Sequence, residues 1–420
     1  MSLFLSLLVA LMSAGGDGQL APPVNPYPDI RLDFALEDGY IPLNHGSYGT
    51  VPIYVTEKTN ELVRRAHSNP DRWFRHQYRP LVNSTRQLIA DHVGADMDDV
   101  VLVDNASDGC NAILRSLLRT GDGVIFYPHT YYMVKNVINM LVATRGVVAH
   151  VVNISFPVLS DEEYIAPVSN YLSSGAVNPA TIKLCVFSHI SSMPSFVEPV
   201  ADLVALCHSY GIDVLLDGAH TVGQIPLNLT EIGAEYYVSN MHKWLFAPTG
   251  SAFLHVKRDR QHLIMPTVLS VEHTQPFALR FEYQGTRDYT TFIGAAVGLE
   301  YVDLFLGGEA AQMTYNHDLA LWASLFLFQQ WNTSLISPND PFVANMFNIE
   351  LPFVSTMDEA LLLRDTVFST YGYYFVYDQY LYSGNDRVWA RISTQVYLDP
   401  TDFEGFAAAV LSVGRTLFAH

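Results

Sequence analysis

From residue 100 onward, short and almost wholly apolar runs recur at 100–103, 124–127, 147–152, 182–188, 214–217, 236–239 and 251–256. The intervals between them carry apolar residues at helical spacing. A strand covered by helices on both sides has no polar face, so an unbroken apolar run marks it better than alternation does. Seven such runs predict an α/β fold with a mostly parallel, seven-stranded sheet and helices on both faces. Ligands of such sheets bind beyond the carboxyl ends of the strands.

Residues 52–93 show helical periodicity interrupted at Asn69-Pro70-Asp71, and residues 294–331 are helical again. Composition then shifts through Asn332-Thr333-Ser334 and Pro338-Asn339-Asp340-Pro341, where a small C-terminal α/β domain is expected to begin. Its strands are predicted at 348–353, 373–380 and 388–397, and its helices at 357–370 and 400–417. Asp399-Pro400 places a capping residue before a proline at the first helical position. The expected division is residues 17–50 as an extended arm and substrate loop, 51–330 as the large domain and 331–420 as the small one.

The 420 residues are 49% hydrophobic, 12% aromatic and 15% charged, which is a globular composition. A net charge of -19 with no basic stripe argues against nucleic acid. The three cysteines lie in apolar segments and do not make a disulfide framework. Residues 3–12 form an uncharged apolar run followed by Ser13-Ala14-Gly15-Gly16, so residues 1–16 read as a secretory signal peptide, although no lysine or arginine precedes the run. The run is too short to make a stable membrane span. Secretion or entry into an endomembrane lumen is therefore expected, with a cytoplasmic chain as the alternative.

Two of the predicted strands end in reactive groups. Asp217 closes 214–217 and continues as Gly218-Ala219-His220, so its carboxylate should sit at a buried strand end and need a cationic partner. Lys243 follows 236–239 within Asn240-Met241-His242-Lys243-Trp244, without the charged neighbours usual around a surface lysine. A desolvated lysine is an effective amine nucleophile. Together these suit pyridoxal 5'-phosphate, with Lys243 forming the Schiff base and Asp217 facing a protonated pyridine nitrogen. Upstream, Asp104-Asn105-Ala106-Ser107 opens a helix. The Ala106 and Ser107 amides and the Ser107 hydroxyl are placed to hold a phosphate, a geometry shared with simple capping.

The Asp217-Gly218-Ala219-His220 and His242-Lys243-Trp244 pair resembles the class V aminotransferase family of fold-type I pyridoxal phosphate enzymes, in its isopenicillin N epimerase-like and hercynylcysteine sulfoxide lyase-like branch. The resemblance runs from about Leu43 to the C-terminus. It implies substrate contacts from Asn44 and His45 in Asn44-His45-Gly46-Ser47-Tyr48-Gly49, and a carboxylate-binding Arg391. It implies that Tyr131 stacks on the cofactor or passes a proton to a leaving sulfur, with His129 as competitor. His220 would bond or tune the cofactor, His189 would lie near it, and Ser239 and His242 would add phosphate donors. Asn240 stands where some relatives have serine or threonine. Thr286, in Gln284-Gly285-Thr286-Arg287, would reach the neighbouring site of a homodimer. No metal is expected. The implied activity is β-elimination of sulfur from a cysteine-derived or cysteine sulfoxide amino acid; an epimerase, an aminotransferase and an inactive secreted binding protein stay open. A persulfide-forming desulfurase is disfavoured because no cysteine follows Cys207.

Overall fold

The computed structural model describes residues 21–337 and 340–418. The apolar N-terminal run and its cleavage region lie outside the described residues. Seven strands form the large sheet: β1 (Val100–Val103), β2 (Gly123–Phe126), β3 (Val148–Val151), β4 (Ile182–Ser188), β5 (Asp213–Asp217), β6 (Tyr236–Asn240) and β7 (Ala252–Val256). Their order is β1-β7-β6-β5-β4-β2-β3, and every pairing is parallel except those of β7, which runs against both neighbours. Helices α1 (Ile53–Ser68), α2 (Tyr78–His92), α3 (Ala106–Leu117), α4 (Tyr132–Arg145) and α5 (Thr290–Phe305) accompany the sheet, whereas α6 (Glu309–Trp331) packs with the C-terminal residues.

Six of the apolar runs are explained by two cores, one on each face; β3, at the sheet edge, leaves Val148 and Val151 about half exposed. Successive strand residues point to opposite sides. Val101, Val103, Leu215 and Val238 pack with Ile113, Leu114, Ile138 and Leu141 of α3 and α4. Val100, Leu102, Val214 and Leu216 pack the other way, with Ile89, Val204 and Ile293. The predicted helix over 294–331 is two helices that meet at 78°. Gly307 and Gly308, at φ +69° and +93°, make that corner. Among the described residues, no single helix is long and apolar enough to cross a membrane.

The small C-terminal sheet is antiparallel in the order β9-β10-β8, from β8 (Met346–Glu350), β9 (Val376–Tyr382) and β10 (Asn385–Ser393), and α7 (Met357–Tyr371) and α8 (Pro400–Phe418) complete its lobe. The last strand was expected at 388–397, yet it starts and ends earlier. Ser383 and Gly384, both at positive φ, form a two-residue hairpin turn that carries the polar Asn385-Asp386-Arg387 into the strand. The described part of the expected arm and substrate loop at 17–50 lies against the rest of the chain. Ile41–Pro42 pairs in parallel with Tyr373–Tyr374. Phe34 and Leu43 share a core with Phe246 and Tyr301 as well as with Phe375, Tyr397 and Phe406, so this stretch bridges the large body and the C-terminal lobe.

Candidate active site

β5 and β6 are parallel neighbours, so their carboxyl ends deliver Asp217 and the Lys243 turn side by side. The Asp217 carboxylate accepts the Ala219 amide at 3.0 Å. Burial raises its pKa, against the pull of that amide and of the nearby Lys243 ammonium. The cost of burial outweighs both pulls, so the charge of this carboxylate is not fully compensated.

After β6 the chain makes one helical turn, Met241–Trp244, whose Met241 and His242 amides both donate to the Ser251 carbonyl. His45 grips the same turn, with Nε2 2.6 Å from the Lys243 carbonyl and Nδ1 2.8 Å from the Tyr397 hydroxyl. Gly49, at φ +73°, lies so close to the His242 carbonyl that a Cβ would collide with it. The clamped turn holds Lys243 Nζ 3.2 Å from His220 Nε2. Burial, followed by the Arg391 charge, lowers the Lys243 pKa to about 7, with Asp217 working in the opposite direction. Burial and the neighbouring cations keep His220 neutral, and its Nδ1 is buried without a partner.

At the amino terminus of α3, Asn105 caps through the Asp108 amide, while the Ala106 amide donates to Asn240 Oδ1 at 2.8 Å. The Ala106 N–H expected to meet a phosphate is thus already taken by a side chain. Because Asn240 turns its oxygen to Ala106, its NH2 group faces elsewhere as a donor. Gly109 lets α3 rest on Val238, where any side chain would strike Val238 Cγ2. His242 Nδ1 donates to the Ser251 carbonyl at 2.9 Å, and burial lowers the ring's pKa to about 4. Its Nε2 therefore presents a lone pair and donates only when protonated.

Ser239 differs from the expectation. Strand alternation turns it away from α3; its hydroxyl donates to the Gly218 carbonyl at 2.5 Å and accepts the Val222 amide, so it braces the Asp217 loop instead of lining the cavity. Thr286 is exposed beside Tyr283, off the cavity wall of its own chain.

Arg391 on β10 closes the other end. One of its terminal nitrogens donates to the Ser192 carbonyl and hydroxyl at 3.1 and 2.9 Å, the other to Asn44 Oδ1 and Ser47 Oγ, both at 2.8 Å. Its Nε is buried and unpartnered, and burial lowers its pKa to about 10. Every acceptor around it is neutral, which leaves the charge uncompensated until a carboxylate arrives. Asn44 therefore acts through Arg391, and His45 faces the Lys243 turn, away from substrate. His129 is not free to stack on a cofactor: it lies against Tyr127 with centroids 5.3 Å apart and bonds the Tyr164 hydroxyl. His189 is likewise buried on the Tyr237 hydroxyl. Tyr131 is 46% exposed and borders the open space.

That space is a cavity of about 310 Å³ whose wall includes Ser107, Asp217, His220, Asn240, His242 and Lys243. It adjoins a second of about 250 Å³ that Arg391 enters, and both share Ser47, Tyr131 and Ser192. Ser47, Tyr48 and Ser192 were not among the sequence candidates. Ser192 carried a signal, as a polar residue just past a strand end.

A lysine amine and an unpaired carboxylate on adjoining strand ends, with a helix amino terminus nearby, define a pyridoxal phosphate enzyme of fold type I. The chain belongs to the class V aminotransferase family: residues 49–368 match the family described as Aminotransferase class-V. It is 33% identical to an L-cysteine desulfhydrase of Arabidopsis thaliana, over 91% of this chain and 90% of that protein. It is 24% identical to the hercynylcysteine sulfoxide lyase of Schizosaccharomyces pombe, over 91% and 96%. Among solved structures, a cysteine desulfurase of Escherichia coli superposes with a TM-score of 0.75 at 18% identity, covering 94% of this chain and all of that one.

Pyridoxal 5'-phosphate is the cofactor, and the residues present fit it. Lys243 would bind it covalently and Asp217 would face its ring nitrogen. Ser107 and the Asn240 NH2 would hold its phosphate, together with His242 once protonated.

Proposed function

We propose that this enzyme is a carbon–sulfur lyase that eliminates the sulfur substituent from a cysteine-derived amino acid, releasing a thiol, pyruvate and ammonia. The observation that carries the reading is a buried Arg391 without an acidic partner, set across the cavity from a buried Lys243 amine whose pKa burial lowers to about 7. The guanidinium binds an α-carboxylate bidentately and thereby fixes which Cα bond is labile. When bound, the cofactor supplies the electron sink for charge developing at Cα. Lys243 Nζ accepts the Cα proton and Asp217 holds positive charge on the opposite side of the site. The Cβ–S bond breaks with its electron pair on sulfur, the Tyr131 phenol donates a proton to that sulfur, and water hydrolyses the released aminoacrylate.

No cysteine takes part in this scheme. Cys110, Cys185 and Cys207 are buried free thiols off the cavity wall, and burial raises the pKa of the first two, which counts against sulfur transfer through a cysteine. We also infer a homodimer in which the exposed Thr286 completes the neighbouring phosphate site, and entry into the secretory route, supported by the 3–12 apolar run.

Holoenzyme incubated with L-cysteine and S-substituted cysteines should release thiol or sulfide, pyruvate and ammonia in equal amounts, and Lys243→Ala should abolish all three. Solvent-deuterium exchange at Cα without product would instead identify an epimerase. Transfer of the amino group to a keto acid would identify an aminotransferase. Protein that stays colourless with added cofactor would identify the inactive binding protein.

A further inference from the structure

The second cavity is larger than a cysteine thiol requires, and besides Arg391 it carries two opposite charges, Asp378 and Lys135. Asp378 stands on β9 and Arg391 on β10. Arg391 pairs directly with Val376, so Arg391, Val376, Asp378 and Tyr380 share one face of the hairpin. The backbones of a diagonal pair two residues along an antiparallel ladder are about 7–8 Å apart, and Asp378 and Arg391 both line the second cavity. The Asp378 carboxylate is fixed by the hydroxyls of Tyr380 at 2.8 Å and Tyr132 at 3.4 Å, and by the Gln379 amide at 2.8 Å. Lys135 reaches the same space from α4. It donates to the Pro128 carbonyl at 2.6 Å, and its ammonium lies 4.4 Å from the Tyr132 ring centroid. Three N–H donors on the ammonium leave two for a ligand. A carboxylate and an ammonium thus bracket Tyr132 at the far end of a chamber that opens onto the site of elimination.

We propose that this chamber is a subsite for a second amino acid joined through sulfur, Asp378 receiving its ammonium and Lys135 its carboxylate, so that the preferred substrates are thioether-bridged bis-amino acids of the lanthionine type. The inference rests on the lyase reading and names its substrate class. With lanthionine, the Cα proton passes to Lys243, the Cβ–S bond breaks onto sulfur and the sulfur is reprotonated. Free cysteine leaves, and the aminoacrylate takes up water to give pyruvate and ammonia.

The test compares holoenzyme kcat/KM for L-lanthionine, S-(2-aminoethyl)-L-cysteine, S-(2-carboxyethyl)-L-cysteine and S-propyl-L-cysteine, read as pyruvate. Lanthionine should exceed the propyl compound by at least tenfold. Asp378→Asn should lower the aminoethyl-to-propyl ratio about tenfold and leave the carboxyethyl-to-propyl ratio in place; Lys135→Met should do the converse. Diaminopimelate, which has the lanthionine shape without a sulfur to expel, should bind by calorimetry about tenfold more weakly to either variant. Equal turnover of charged and propyl substrates, or variants that scale all four alike, would overturn the subsite. No pyruvate from any of the four would overturn the lyase reading, and calorimetry would still decide the subsite.

Discussion

The Lys243 amine makes a demanding test, because its effect on stability runs opposite to that of most buried contacts. Its ordinary pKa of 10.5 falls to about 7 in the folded apoprotein. At about 1.4 kcal/mol per tenfold change in proton affinity, that fall is a penalty of up to about 5 kcal/mol on folding with the amine protonated. The unfolded chain keeps the proton up to its higher pKa, whereas the folded chain loses it near pH 7. Between those values the unfolded state binds more protons, so stability rises with pH across that window. Below pH 7 both states are protonated and the penalty is complete. Lys243→Met removes the ionisable group. Apo Lys243→Met should therefore be more stable than the apo wild type at pH 6, by an amount approaching that bound, and the gap should shrink steadily toward pH 10. Urea denaturation of both apoproteins at intervals of one pH unit measures it. Arg391→Met, which removes the second cause of the depression, should flatten the pH slope of the wild type. A gap independent of pH would show that the amine is not held in the low-pKa state, and the case for a neutral Lys243 near pH 7 would fail.

Arg391→Met should leave the yellow cofactor band intact while lowering kcat/KM for amino acids about 10²–10⁴-fold, as expected for two charge-assisted hydrogen bonds worth about 1.5–3 kcal/mol each; steady-state kinetics beside an absorbance spectrum would show it. Asn240→Asp keeps an acceptor for the Ala106 amide but replaces a donor by a negative charge near the phosphate, so cofactor affinity should fall at least tenfold in an absorbance titration with little loss of thermal stability. Gly49→Ala meets both a positive φ and the His242 carbonyl, and should cost more than about 1 kcal/mol in denaturant unfolding and weaken cofactor retention, because the displaced backbone is the one that positions Lys243.

The sequence alone determined the sheet and the two residues on which the chemistry turns. Nearly continuous apolar runs need helices on both faces, and that requirement is local enough to read residue by residue; only the edge strand β3 is less covered than its sequence suggests. Asp217 was legible for the same reason, as a reactive group closing such a run, and Lys243 by standing just beyond the next run without charged neighbours. Only the tertiary structure decided the roles around them. His45 and His242 offer the same side chain to a sequence reader, yet one ring is spent on the Lys243 carbonyl and the Tyr397 hydroxyl, partners 198 and 352 residues away. Ala106 lost its expected free amide to Asn240, 134 residues on. Ser239 turned inward through the alternation of its strand, and Asp378 came to stand near Arg391 only through the register of a hairpin whose turn the sequence reading placed inside a loop. Hydrophobic period is a property of neighbours along the chain, whereas a hydrogen-bond partner is chosen by whatever distant residue folding brings within reach.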